Sequence, residues 1–179
     1  RDVAVTGVQT CALPISREQG HLQAVQALAE GRWTAACQAW DDLLLDHPRG
    51  PHGYSDGDTL AHALIDALLG AACLGDIGQH FPPGDPQWRG ADSIDLLHRT
   101  VALVHDSGFR VHNVDATVIL EAPRLGPYLP AVRQRLAEAL GLPLDRVSVK
   151  AKSNEGLDAV GQREAVAVHA VALLEELNA

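Results

Sequence analysis

The chain of 179 residues contains no methionine, and aromatic residues make up only 4% of it. Leu, Val and Ala must therefore fill whatever core it builds. Positive charge is scarce as well: 14 Lys and Arg stand against 23 Asp and Glu, a formal net charge of −9. Nucleic acids and anionic membranes are held through clustered cations, so this balance argues against a general affinity for either. A local site for a small anion remains compatible with it. The three cysteines, Cys11, Cys37 and Cys73, are too few and too scattered for a disulfide framework, which fits a reducing, cytoplasmic setting. No apolar run reaches the roughly 18 residues that a membrane span requires. What is present is 46% hydrophobic and 21% charged residues, enough for a packed core, and the length suggests one domain, or one plus an appendage.

The first 16 residues, RDVAVTGVQTCALPIS, show no helical periodicity and lack the cationic flank of a signal peptide. They resemble translated adaptor sequence and are expected to stand outside the fold. Residues 17–47 carry two helical patterns separated by Gly31, a hairpin that resembles a single tetratricopeptide-type repeat. One such hairpin cannot bury its own apolar face, and an ordinary amphipathic hairpin is an equal reading. The Pro/Gly-rich HPRGPHG at 47–53 marks a domain boundary, with a second domain over 48–179. Within it the sequence predicts helices over 58–74, from Ser93 as N-cap to 105, over 130–140 and over 164–177. Strands are expected at 109–121 and 146–152. The fold class is α+β, a small mixed sheet with helices on one face. Two strands are too few for a sheet, so an N-terminal strand is expected to be missing.

The helix at 58–74 is apolar around most of its circumference, yet Asp58, His62 and Asp66 stack along one ridge at four-residue steps. A polar ridge on a buried helix must meet a partner, a metal, a ligand or water. By periodicity alone, His62 reads as a satisfied core histidine, with Asp58 capping the helix and Asp66 bonding nearby backbone. Cys73, in the same apolar helix, reads as inert packing rather than as a nucleophile.

The Gly/Asp-rich turns around this helix shift the balance. SDGDTLAHALIDALLGAACLGDIGQHFPPGDPQWRGADSIDLL, then NVDATVILEAPRL, then VSVKAKSNEGLDAVGQREAVAVHAVALL, together resemble the 2-C-methyl-D-erythritol 2,4-cyclodiphosphate synthases over residues 50–177. The resemblance implies a homotrimeric lyase of non-mevalonate isoprenoid (terpenoid) biosynthesis. It cyclises 4-diphosphocytidyl-2-C-methyl-D-erythritol 2-phosphate and releases CMP, at sites between subunits. It implies a zinc-type ion at His62 and magnesium or manganese at the diphosphate, reached by Glu155. Asp76, Ile77 and Gly78 match the loop that holds the erythritol part, and Phe81, Pro82, Pro83, Gly84 and Asp85 continue that wall. Leu120, Pro123, Arg124, Leu125 and Gly126 match one segment of the cytidine pocket. Ala151, Lys152, Ser153 and Asn154 match the other. Tyr54 and Ser55 precede the helix at a substrate-binding position, and Tyr54 and Ser153 fall at catalytic ones.

The departures are specific. Tyr54 stands where the family has His, Arg124 where it has Lys, Ser153 where it has Thr, Pro83 where it has Asp, and Gln162 where it has Arg. The family's first strand carries an Asp-x-His pair that completes the catalytic metal site, and no Asp-x-His occurs in this chain. The alternative expectation is a non-catalytic trimeric interaction protein, with the 17–47 hairpin binding partners.

Overall fold

The computed structural model describes residues 3–12, 59–88, 91–122 and 124–177. The expected hairpin at 17–47 and the boundary at 47–53 lie outside them. Four strands form one mixed sheet: β1 (Val3–Ala12), β2 (Phe109–Ile119), β3 (Val147–Lys152) and β4 (Ala165–Glu176), in the order β1-β4-β2-β3. β2 and β3 run parallel, and β4 is antiparallel to both its neighbours.

Two expectations about strands need correction. Residues 164–177, expected to be helical, form the inner strand β4. Ala, Leu and Glu favour helices in isolation, but Val168, Ala170, Ala172 and Leu174 are buried at the two-residue period of a strand. β4 is bonded on both edges, and that tertiary setting outweighs local propensity. Residues 3–12, expected outside the fold, pair with β4 from Val3↔Leu174 to Ala12↔Ala165. A ladder is built from main-chain groups, so a strand of unrelated side chains can occupy an open edge. The sheet is therefore not short of its outer strand.

The helices are α1 (Thr59–Ala71), α2 (Ile77–His80), α3 (Ser93–Asp106), α4 (Leu129–Leu140) and α5 (Asp158–Gly161). α1 packs on β1, β4 and α3, while α3 lies on β2 and α4 on β3. Leu64, Ile65, Leu68 and Leu69 of α1 are fully buried. Each such side chain contributes roughly 1.5–3 kcal/mol relative to exposure. After α1 the chain turns at Gly75, whose φ of +91° suits a residue without Cβ. α3 is capped by Asp92, one residue before the expected Ser93: the Asp92 carboxylate accepts from Ile94 N at 2.8 Å. No helix among the described residues is long and apolar enough to cross a membrane.

α4 carries the chain from β2 over to the parallel neighbour β3. Because the two strands point the same way, Ile119 and Lys152 finish side by side. The loops leaving them are thereby forced together, the usual place for a ligand crevice beside parallel strands.

Candidate functional site

The expected site residues fall into two neighbourhoods. The first lies along α1 and the loop that follows it. His62 is half-buried there with Nε2 enclosed by the fold. One turn further on, Asp66 accepts from Ile77 N at 2.8 Å through Oδ1. That bond fastens the 75–78 loop to the helix and accords with the expectation that Asp66 bonds nearby backbone. Asp76 caps α2, accepting from Gln79 N at 3.0 Å and from Gln79 Nε2 at 2.7 Å. The Gln79 side chain, first among several donors, holds the Asp76 carboxyl below its ordinary range. His80 Nε2 donates to Leu74 O at 2.8 Å, tying the end of α2 back to the turn that follows α1.

Phe81 is buried and meets Trp88 edge-on, with centroids 5.0 Å apart and planes at 86°. The Arg99 guanidinium lies 5.2 Å above the Trp88 ring. Between them, Pro82, Pro83 and Gly84 form the turn. Asp85 accepts from Gln87 N at 3.0 Å and from Gln87 Nε2 at 2.7 Å. The loop over 76–88 is thus fixed by its own caps and aromatic contacts, leaving Ile77 half-buried and Gly78 exposed.

Asp66→Ala would strip the Ile77 N–H of its acceptor while leaving the α1 packing intact. A part-buried donor left unsatisfied costs roughly 1–3 kcal/mol. Urea denaturation should show a loss in that range, with amide exchange accelerated at Ile77. Wild-type protection at Ile77 would contradict this role.

The second neighbourhood lies where β2 and β3 end. Leu120 N donates to Lys152 O at 2.9 Å, the last rung before the loops. The Glu121 carboxylate then accepts from Asn154 N at 3.1 Å and Gly156 N at 3.4 Å. Arg124, Lys152, Ser153 and Glu155 are exposed; Leu125, Ala151 and Asn154 are half-buried. Gly126 opens a single 3-10 turn through Tyr128. Glu155 adopts φ +52°, the left-handed region, which costs a non-glycine residue about 1–3 kcal/mol. Asp158 opens α5, and its carboxylate accepts from Val160 N at 2.8 Å. Hydrogen bonding, with the Asn154 side chain as the largest contributor, holds its carboxyl low.

Leu120 and Glu121 bond across to Lys152, Asn154 and Gly156, so the segment that goes on to Arg124, Leu125 and Gly126 starts beside the one that carries Ala151, Lys152, Ser153, Asn154 and Glu155. His62 and the 76–85 loop belong to the separate neighbourhood around α1, the helix that packs on β1 and β4. Tyr54, Ser55 and Pro123 lie outside the described residues. Sequence reasoning assigned no role to Glu121, Asp158 or Gly161. Glu121 sat inside a matched segment, but only its position opposite the β3 loop reveals what it holds.

A zinc site with three protein ligands does not fit what is described. Among the described residues, no group of three or more His, Cys, Asp or Glu side chains could hold a metal ion. β1, packed against the helix that carries His62, has the sequence VAVTGVQTCA, without Asp, Glu or His. His62 and Glu155, the two expected ligands, stand on separate elements.

Residues 42–175 match the YgbB family. The 2-C-methyl-D-erythritol 2,4-cyclodiphosphate synthase of Gloeobacter violaceus is 63% identical over 124 residues, 69% of this chain and 76% of that protein. The synthase of Pseudomonas paraeruginosa is 48% identical over 155 residues, 87% of this chain and 96% of its own. A solved 2C-methyl-D-erythritol-2,4-cyclodiphosphate synthase superposes with a TM-score of 0.71 at 33% identity, covering 98% of this chain and all of the other. The bifunctional IspDF from Campylobacter jejuni gives a TM-score of 0.75 at 30% identity; the match spans 98% of this chain but 42% of that longer one. The alternation of helices with a mixed sheet and the paired loops at its parallel end are therefore those of a known enzyme fold, and the chain belongs to the YgbB family, the 2-C-methyl-D-erythritol 2,4-cyclodiphosphate synthases of isoprenoid biosynthesis.

Proposed function

We propose that the loops after β2 and β3 bind the cytidine diphosphate end of 4-diphosphocytidyl-2-C-methyl-D-erythritol 2-phosphate, and that the 76–85 loop receives its methylerythritol end. The reaction is intramolecular. The 2-phosphate oxygen attacks the β-phosphorus in line, a cyclic diphosphate forms, and the bond to CMP breaks. Such phosphoryl transfers are accelerated mainly by positioning and charge neutralisation. Arg124 and Lys152 supply cations for the diphosphate. Ser153 offers a hydroxyl that donates to the transferring phosphoryl group, and Tyr54 a neutral phenol for the 2-phosphate. Asp76 and Gly78 shape the sugar end. Family members employ divalent ions, and the described donors do not complete such a site. The cytoplasm is the compartment this chemistry implies.

The observation that supports the reading is the Glu121 bridge, which ties the start of the loop after β2 to the loop after β3. A homotrimer accords with the separation of the two neighbourhoods, because a second copy can supply the half that one subunit lacks. It also accords with the sheet face away from the helices, where Val171 is 36% exposed and Lys150 pairs with Asp115.

Calorimetric titration with CDP tests the assignment. The unsubstituted chain should bind CDP, and Arg124→Ala should weaken binding about tenfold to a hundredfold, the worth of a charge-assisted phosphate contact. Sedimentation in the same buffer should give the mass of three subunits. A chain that neither binds CDP nor trimerises would sink the assignment. A trimer that ignores CDP would favour the non-catalytic interaction protein.

A further inference from the structure

Glu121 leaves β2 immediately before the Pro/Gly-rich loop, and its side chain spans the gap to the loop after β3. One oxygen, Oε2, meets the N–H groups of both Asn154 and Gly156. Those two amides bracket Glu155, whose φ of +52° and following Gly156 φ of +77° reverse the chain. A backbone held in the left-handed region needs an external tie, and the carboxylate is placed to be that tie. The same loop is further anchored by Asn154 Nδ2 donating to Leu157 O at 3.0 Å, a bond within the loop itself. Only Glu121 connects it to the opposite half of the pocket through a side chain described here.

We propose that Glu121 is a positioning residue: by receiving the Asn154 and Gly156 amides it sets the loop that presents Ser153, Asn154 and Glu155 to the cytidine diphosphate group. The proposal rests on the reading of these loops as the nucleotide pocket. It concerns reach rather than charge. A side chain of glutamate length with an oxygen at its end suffices; one methylene fewer cannot bridge both amides without moving a strand end.

The test compares Glu121→Gln with Glu121→Asp, each titrated with CDP and followed by amide hydrogen exchange. Gln keeps the length and one carbonyl oxygen and should bind CDP within about threefold of the unsubstituted chain. Asp keeps the charge but loses reach. It should bind about tenfold or more weakly and expose the Asn154 and Gly156 amides to exchange, with little change in melting temperature. Leu157→Ala, at an exposed side chain of the same loop (69% exposed), should alter neither quantity. The proposal is overturned if Asp binds CDP as well as the unsubstituted chain, or if Gln is as impaired as Asp, which would make charge the requirement. It is also overturned if the two amides exchange freely in the unsubstituted chain. Absence of CDP binding by the unsubstituted chain, with those amides still protected, would instead bring down the pocket reading, and the proposal with it.

Discussion

Zinc should bind this chain on the order of a thousandfold more weakly than a site with three protein ligands binds it, and CMP release should be correspondingly slow. Structural zinc sites are worth about 10–16 kcal/mol, shared among their ligands, so each ligand lost removes several kcal/mol of affinity. Family resemblance places two ligands on the first strand as an Asp-x-His pair. β1 occupies a strand position beside α1 but has Gln9-Thr10-Cys11 near its end. Positions 9 and 11 register opposite Val168 and Val166 of β4, and residues two apart in a strand share a face. Gln9→Asp combined with Cys11→His should therefore restore zinc retention through dialysis, measured as metal per subunit, and raise CMP release with it. Stoichiometric zinc in the dialysed, unsubstituted chain would refute the first expectation. A doubly substituted chain that stays metal-free would refute the placement of β1 as the equivalent strand.

Gly161→Ala should be the most damaging single methyl in the described chain. A Cβ at 161 would stand 2.3 Å from Gly156 C, 2.7 Å from its Cα and 3.0 Å from its N. All three are backbone atoms in the loop that carries Ser153 and Glu155, so no side chain can rotate out of the way. Forcing extra volume into a fixed contact costs typically 1–3 kcal/mol, and this contact lies at the upper end. For a chain of this size that is about 6–12 °C in melting temperature. CDP binding should fall as well, because relief requires the loop to move. Gly84→Ala is the matched control: nothing lies within 4 Å of its added Cβ, and its melting temperature should be unchanged. Equal melting temperatures for the two variants would refute the close approach of α5 to the loop.

Much of this fold was readable without coordinates, where local and global preferences agree. The helix at 58–74 appears as Thr59–Ala71, the helix at 130–140 as Leu129–Leu140, and the strands at 109–121 and 146–152 as Phe109–Ile119 and Val147–Lys152. In each, apolar periodicity, caps and breakers point to the same element. The reading failed where they diverge. AVAVHAVALLEE is composed of good helix formers with a few valines, and a helix was the natural expectation for it. It is a strand because β1 and β2 bond it on both edges, a fact no window of its own sequence contains.

The site divides in the same way. By itself the sequence determined the chemistry available: a carboxylate ridge with His62, Gly/Asp-rich turns, Arg124, Lys152 and Ser153 in ordered motifs, and the lack of any Asp-x-His pair. Only the tertiary structure decided that Asp66 fastens a loop, that Glu121 reaches across to two amides, and that residues 3–12 complete a sheet edge. The physical reason is that side-chain chemistry is written residue by residue, whereas a hydrogen bond across 33 or 35 positions depends on two parallel strands ending together. That juxtaposition is a property of the packed sheet.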